Sequence, residues 1–133
     1  MEKYFFTDAY IIGNKIIDSQ HEKLFEIFDK LFEAMSLAKD RQIISIILEE
    51  LLNYSNYHFD AEETIMKEIN YPYYDQHKDE HEVFISEVKG LISTYKSGNY
   101  DVTVKTLDFL YYWILNHILA SDKKISNFIK NKL

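Results

Sequence analysis

A chain of 133 residues is long enough for one domain with one core, so residues 1–133 are expected to form a single domain. Its composition, 47% hydrophobic and 28% charged, is that of a folded globule rather than a disordered tail. A formal charge of −7 without a basic stripe argues against nucleic acid and anionic membranes, and the lack of cysteine excludes disulfides, thiolate metal sites and thiol catalysis.

The start, "MEKYFFTDAY", has one early Lys and an apolar run cut by Asp8, unlike a secretory signal. With no cysteine, a cytoplasmic location is expected. One Pro and three Gly in the whole chain point to long, uninterrupted helices. Residues 1–17 read as an irregular arm carrying Tyr4, Phe5, Phe6 and Tyr10, with a turn near Gly13-Asn14. The first helix is expected to start at Asp18-Ser19, where Ser19 and Glu22 have capping-box spacing. Leu24, Phe25, Phe28, Leu31, Phe32 and Met35 then recur at helical spacing.

Asp40 can cap a second helix, which runs from Ile43 through His58 to about Lys67. The break "INYPYYDQ" follows, and Pro72 suits the first turn of a third helix reaching about Lys96. Gly90 lies inside that helix and Gly98 just past its end. Asp101 is placed to cap a fourth helix ending near residue 121, and the tail "DKKISNFIKNKL" reads as a short amphipathic helix. The most apolar stretch, "LDFLYYWILNHILA", is too short and too polar to span a membrane, so no membrane insertion is expected. Short connections make neighbouring helices antiparallel, and the expected fold is an all-α, up-down-up-down four-helix bundle.

Every one of the four helices carries a histidine: His21, then His58, then His77 and His81, then His117. Glu62 stands four after His58, and "HKDEH" puts His77 and His81 on one helix face. Asp122 stands five after His117, a spacing that turns about 500° in a regular α-helix. For both to face inward, the helix must end, tighten or bulge between them. Taken singly, each is an ordinary surface or core residue, HxxxE a helix-surface pair, and Asp122 a cap for the tail. In an antiparallel bundle, however, all of them come level at one end. Five imidazoles and two carboxylates exceed what one four-coordinate zinc takes, whereas two metals bridged by the carboxylates use them all. Such a donor set suits iron among other first-row metals. "HKDEH" has Lys78 where a zincin needs its general-base Glu. No histidine has a Glu three before it, as ferritin-like di-iron sites require, and EF-hand loops are absent.

The segments "IIDSQHEKLF", "HFDAEETIM", "YPYYDQHKDEH" and "WILNHILASD" resemble the haemerythrin family, in particular its bacterial single-domain members (bacteriohaemerythrins). The resemblance implies reversible O2 binding at a non-haem di-iron centre, for oxygen storage, delivery or scavenging. It implies two irons bridged by Glu62, Asp122 and an oxo or hydroxo group. His77, His81 and His117 would complete one iron, and His21 and His58 the other, which keeps the open position for O2. Leu24, Phe59, Trp113, Ile114 and Ile118 match the family's apolar O2-pocket positions, and plain core packing also explains each. NO and azide are further expected ligands; a protein partner is not legible. The same ligands would also serve a di-iron peroxidase, oxidase or nitric oxide reductase, or a sensor acting through a separate partner. The arm has Phe6 where many bacterial members carry a Trp. Asp60, Glu63, Asp79 and Glu80 read as a solvated face, and Asp18 and Gln20 match the family's pattern before its first ligand.

Overall fold

The structure, a computed structural model, describes residues 14–37, 41–98 and 104–132. The arm aromatics Tyr4, Phe5, Phe6 and Tyr10 and the expected caps Asp40 and Asp101 lie outside these residues. The described chain is helical: α1 (Lys15–Ser36), α2 (Arg41–Glu68), α3 (Tyr74–Lys96) and α4 (Val104–Asn116), then a π-helical turn (His117–Asp122) that runs into α5 (Lys123–Lys132).

Cross-helix contacts set the directions. Lys30 pairs with Glu50 while His58 meets Gln20, so α1 and α2 run antiparallel. His81 meets Glu63 while Lys96 meets Glu49, which makes α3 antiparallel to α2. Phe84 packs on Trp113 and Glu80 on Ser121, so the fourth helix reverses again. Phe25 and Phe28 close the ring against Tyr111 of α4. The result is the expected up-down-up-down bundle. Among the described residues no helix is long and apolar enough to cross a membrane.

Two helix starts differ from the sequence expectation. The first helix begins at Lys15, not at Asp18-Ser19, and Asn14 caps it: the Asn14 side-chain oxygen accepts from the backbone N–H groups of Ile16 and Ile17, both at 3.1 Å. Asn is as good a cap as Ser. The earlier start puts buried Ile17 one turn before His21, so the core-facing stripe gains a turn. Ser19 and Glu22 are exposed within the helix. At α3 the N-cap is Tyr73, with Pro72 just outside the helix rather than in its first turn.

Helix α2 ends in a Schellman motif. The Tyr71 N–H donates to Met66 C=O (2.9 Å) and the Asn70 N–H to Lys67 C=O (3.2 Å), with Asn70 in the left-handed region at φ 54°. Tyr71 folds back on Met66, and with Ile125 they form a small apolar cluster separate from the main core. The main core fills the rest of the bundle, with Leu24, Ile27, Phe28, Leu31, Leu48 and Leu51 fully buried. Each such side chain contributes about 1.5–3 kcal/mol of burial.

Two glycines in and after α3 should respond oppositely to a methyl group. Gly98 ends the helix at φ +97°, so Gly98→Ala is expected to destabilise by about 1 kcal/mol. Gly90 is exposed within the helix and a Cβ there meets nothing within 4 Å, so Gly90→Ala should stabilise by about 0.5–1 kcal/mol. Urea denaturation of both variants checks the pair of signs.

Candidate metal centre

Among the described residues nine polar side chains are buried: Gln20, His21, Ser55, His58, Glu62, His77, His81, His117 and Asp122. Seven of the nine are the residues the sequence singles out, and all seven meet at one end of the bundle. His21 comes from α1, His58 and Glu62 from α2, His77 and His81 from α3, and His117 and Asp122 from the two ends of the π turn. That turn is the bulge the i,i+5 spacing requires. Its backbone bonds reach five residues back, with the Lys123 N–H on Ile118 C=O, so positions five apart return to one face.

The seven fall into two groups, one of Glu62, His77, His81, His117 and Asp122, the other of His21, His58, Glu62 and Asp122. Within each, one donor atom per residue lies within 4.8 Å of all the others. The carboxylates belong to both. Glu62 Oε1 lies 2.6 Å from His58 Nε2 and 3.7 Å from His21 Nε2. Its Oε2 lies 3.3 Å from His77 Nε2 and 3.9 Å from His81 Nε2. Asp122 Oδ2 lies 3.0 Å from His21 Nε2, and its Oδ1 lies 2.9 Å from His77 Nε2 and 3.2 Å from His117 Nε2. Each carboxylate thus turns one oxygen to each group, the disposition of a bridge.

The donor set fits a pair of cations. His81 and His117 face each other Nε2 to Nε2 at 3.0 Å, where only one can carry a proton. Nε2 of His21 and of His58, Glu62 Oε1 and both Asp122 oxygens have no partner of hydrogen-bond geometry. Burying charged carboxylates costs several kcal/mol each unless they are compensated. Two cations at the points where these lone pairs converge would compensate them, and imidazole with carboxylate suits iron.

Three further side chains hold the outer nitrogens, and spacing did not single out their contacts. His58 Nδ1 donates to Gln20 Oε1 (2.8 Å), which explains why Gln20 is buried. His81 Nδ1 donates to Glu63 Oε2 (3.0 Å). Glu80 Oε1 lies 3.8 Å from His117 Nδ1, too long for a hydrogen bond but within ion-pair range, and the Ser121 hydroxyl donates to both Glu80 oxygens. Glu63 and Glu80 are therefore not merely a wet face as the sequence suggests; Asp60 and Asp79 are exposed as expected. The only local signal was adjacency, Glu63 beside Glu62 and Glu80 beside His81.

Aromatic rings back the imidazoles. Phe59 stacks on His81 (3.9 Å between centroids) and also touches His58 and His117. Trp113 stacks on His117 at 5.0 Å, on the three-histidine group. Leu24, Ile114 and Ile118 are buried nearby in the core.

Electrostatics are set by the competition between burial and the two carboxylates. Burial lowers an imidazole's pKa, but Asp122 and Glu62 outweigh it at His21 and His77, both raised to about 9. His117 is raised to about 10 against the same burial, chiefly by Asp122. His81 is lowered to about 3, chiefly by burial; Glu62 opposes this, and His117 and His77 add repulsion. Burial would raise Glu62 and Asp122, yet the surrounding imidazoles hold both below the usual carboxylate range.

Residues 12–129 match the family model described as the Hemerythrin HHE cation binding domain. A bacteriohemerythrin of Clostridium acetobutylicum is 34% identical, covering 91% of this chain and 97% of the relative. One from Stenotrophomonas maltophilia is 31% identical, over 95% of this chain and 81% of the relative. A crystal structure of wild-type hemerythrin superposes with a TM-score of 0.86 at 28% identity, covering 92% of this chain and 95% of the other. One of a hemerythrin variant reaches 0.89, also at 28% identity, over 96% of this chain and 98% of the other.

His21, His77 and His117 hold protons at pH 7 when no metal competes, since their values lie at about 9 to 10. Loading two divalent cations into metal-stripped protein at pH 7 should therefore expel about three protons, readable with an indicator in weak buffer. No release would contradict the donor assignment. The same raised values stabilise the metal-stripped fold fully below pH 6.5, the ordinary histidine value. That contribution is lost as pH rises through about 9 to 10, so chelator-treated protein should melt progressively lower across that window.

Proposed function

The chain belongs to the haemerythrin family, and we propose that a single domain spanning residues 1–133 holds two non-haem irons in its buried cluster and binds O2 reversibly. The carrying observation is the unequal pair of donor groups sharing Glu62 and Asp122, five residues against four. His77, His81 and His117 with both carboxylates would hold one iron. His21 and His58 with the same carboxylates would hold the other with one donor fewer, which would leave room for a small ligand. Iron held there, with an oxo or hydroxo group between the two ions, would supply the two electrons that O2 accepts and returns.

The chain's own part is to hold, orient and keep dry. Glu62 and Asp122 keep the two groups in register, one oxygen to each. Gln20 and Glu63 fix the tautomers of His58 and His81 so that each Nε2 lone pair points inward. Leu24, Phe59, Ile114 and Ile118 would give the ligand apolar surroundings, while Trp113 backs His117 on the three-histidine side. Among the described residues no lysine or arginine pairs with Glu62 or Asp122. Histidine-rich ligation is less anionic than a carboxylate-rich site, which favours a carrier over a peroxidase, oxidase or nitric oxide reductase. NO and azide are small enough to compete for the same position. The cysteine-free chain suits a reducing cytoplasm.

Anaerobic reduction of iron-loaded protein followed by admission of O2 tests the proposal. Visible absorption that forms, persists and vanishes when O2 is removed is the expected result. Immediate decay to the oxidised protein with steady consumption of a reductant would assign an enzyme instead. Metal analysis should give two irons per chain. His77→Ala should lose iron, whereas exposed Asp79→Ala should bind as the parent does; equal losses would overturn the assignment of the inner face.

A further inference from the structure

The outer nitrogens of the imidazoles are not treated alike. On the three-histidine side, His81 Nδ1 donates to the carboxylate of Glu63 at 3.0 Å. On that side too, His117 Nδ1 has Glu80 at 3.8 Å, held by the Ser121 hydroxyl. On the two-histidine side, His58 Nδ1 donates to the neutral amide of Gln20 at 2.8 Å. His21 Nδ1 there is buried without a hydrogen-bond partner. Among the described residues, the carboxylates within ion-pair distance of His21 and His58 are the shared Glu62 and Asp122 alone. Two additional anions therefore serve one half of the site and none the other.

We propose that Glu63 and Gln20 make the two halves electronically unequal, so that the half held by His77, His81 and His117 gives up the first electron and the half held by His21 and His58 stays reduced. The reasoning rests on the di-iron reading above but not on O2 carriage. A carboxylate accepting the Nδ1 proton draws it outward and lends the ring imidazolate character. The opposite nitrogen becomes a stronger donor, and the added negative charge stabilises the higher oxidation state. An amide oxygen fixes the same tautomer with far less charge. Glu63 is thus a positioning residue for His81, and Gln20 its neutral counterpart on His58. Keeping the two-histidine half reduced preserves the electron where the open position lies.

Glu63 suits this role because it is accessible without being loose. Its side chain is 17% exposed and lines a surface groove between α2 and α3 with Asp60, Lys78 and Glu82. Its charge can be removed without disturbing the core. Glu63→Gln keeps size and hydrogen bonding while deleting the anion. Gln20→Glu places an anion on the other half.

The test is a potentiometric titration of the reduced, two-iron protein with ferricyanide, an outer-sphere oxidant that takes one electron without making or breaking a bond. Glu63→Gln should raise the potential of the first oxidation. Gln20→Glu should lower it and move the ferric Mössbauer signal toward the two-histidine environment. Unchanged potentials, or shifts of the same sign in both variants, would overturn the proposal. Nitrogen-15 NMR of the metal-stripped chain gives a readout without iron. His81 should be the Nδ1–H tautomer in the parent, lose that preference in Glu63→Ala, and leave His58 unaffected; an indifferent His81 counts against Glu63. A protein that takes two irons and shows these shifts but binds no O2 refutes carriage alone.

Discussion

Two carboxylates and five imidazoles are packed together as buried side chains, and the rest of the fold must tolerate that arrangement. Burial disfavours the charged form of both Glu62 and Asp122, and repulsion from Glu62 adds to the penalty at Asp122. Protons shared with the imidazoles offset part of this, but the bonds are incomplete, since several inward lone pairs meet no donor. A bundle stabilised only by its apolar stripes would be better served by leucines at these positions. The cluster is therefore intelligible as a compromise in which protons on the imidazoles hold the place that cations can take. Placing the charged groups at one end leaves the rest of the bundle free to pack a continuous apolar core, from Leu24 to Leu51, that carries the folding energy.

The π turn follows from the same demand. In a regular helix Asp122 would lie some 140° around from His117 and face the solvent. Widening the helix over His117–Asp122 returns it to the inner face, and Ser121 then reaches Glu80 on α3. A π segment is intrinsically weak. This one is flanked by α-helix on both sides and tied by Asp122 to His21 and His77, so the site holds the turn as much as the turn builds the site.

The inward-facing histidines and carboxylates were legible because helical periodicity makes them so. His58 with Glu62 and His77 with His81 share a face by arithmetic, and antiparallel neighbours bring those faces level. The need for a break between His117 and Asp122 was equally readable, though a bulge could not be told from a helix end. Partners across helices were not readable. Glu63 and Glu80 lie outside the inner stripe, and only the packing of α2 on α3 and of α3 on the π turn turns them toward imidazoles. Gln20 was visible in the family pattern, while its bond to His58 needs the α1–α2 register. The helix start slipped because two competent caps, Asn14 and Ser19, stand five residues apart. The choice falls to Asn14 because Ile17 is buried from that start, which is a tertiary cause.

The outer end of the site is covered by a second apolar cluster. Past Glu62 and Asp122 the chain does not simply stop: α2 runs on beyond Glu62 to bury Met66, and α5 carries Ile125 in from the far side of the π turn. Asn70 at φ 54° folds Tyr71 back over Met66, completing a small apolar plug with Ile125. A non-glycine residue in that conformation is tolerated most readily when it is Asn, and here the strained turn is held by two backbone hydrogen bonds. The carboxylates thus sit between the main core on one side and this plug on the other. That enclosure raises the cost of leaving them uncompensated and, for the same reason, strengthens their hold on any cation between them.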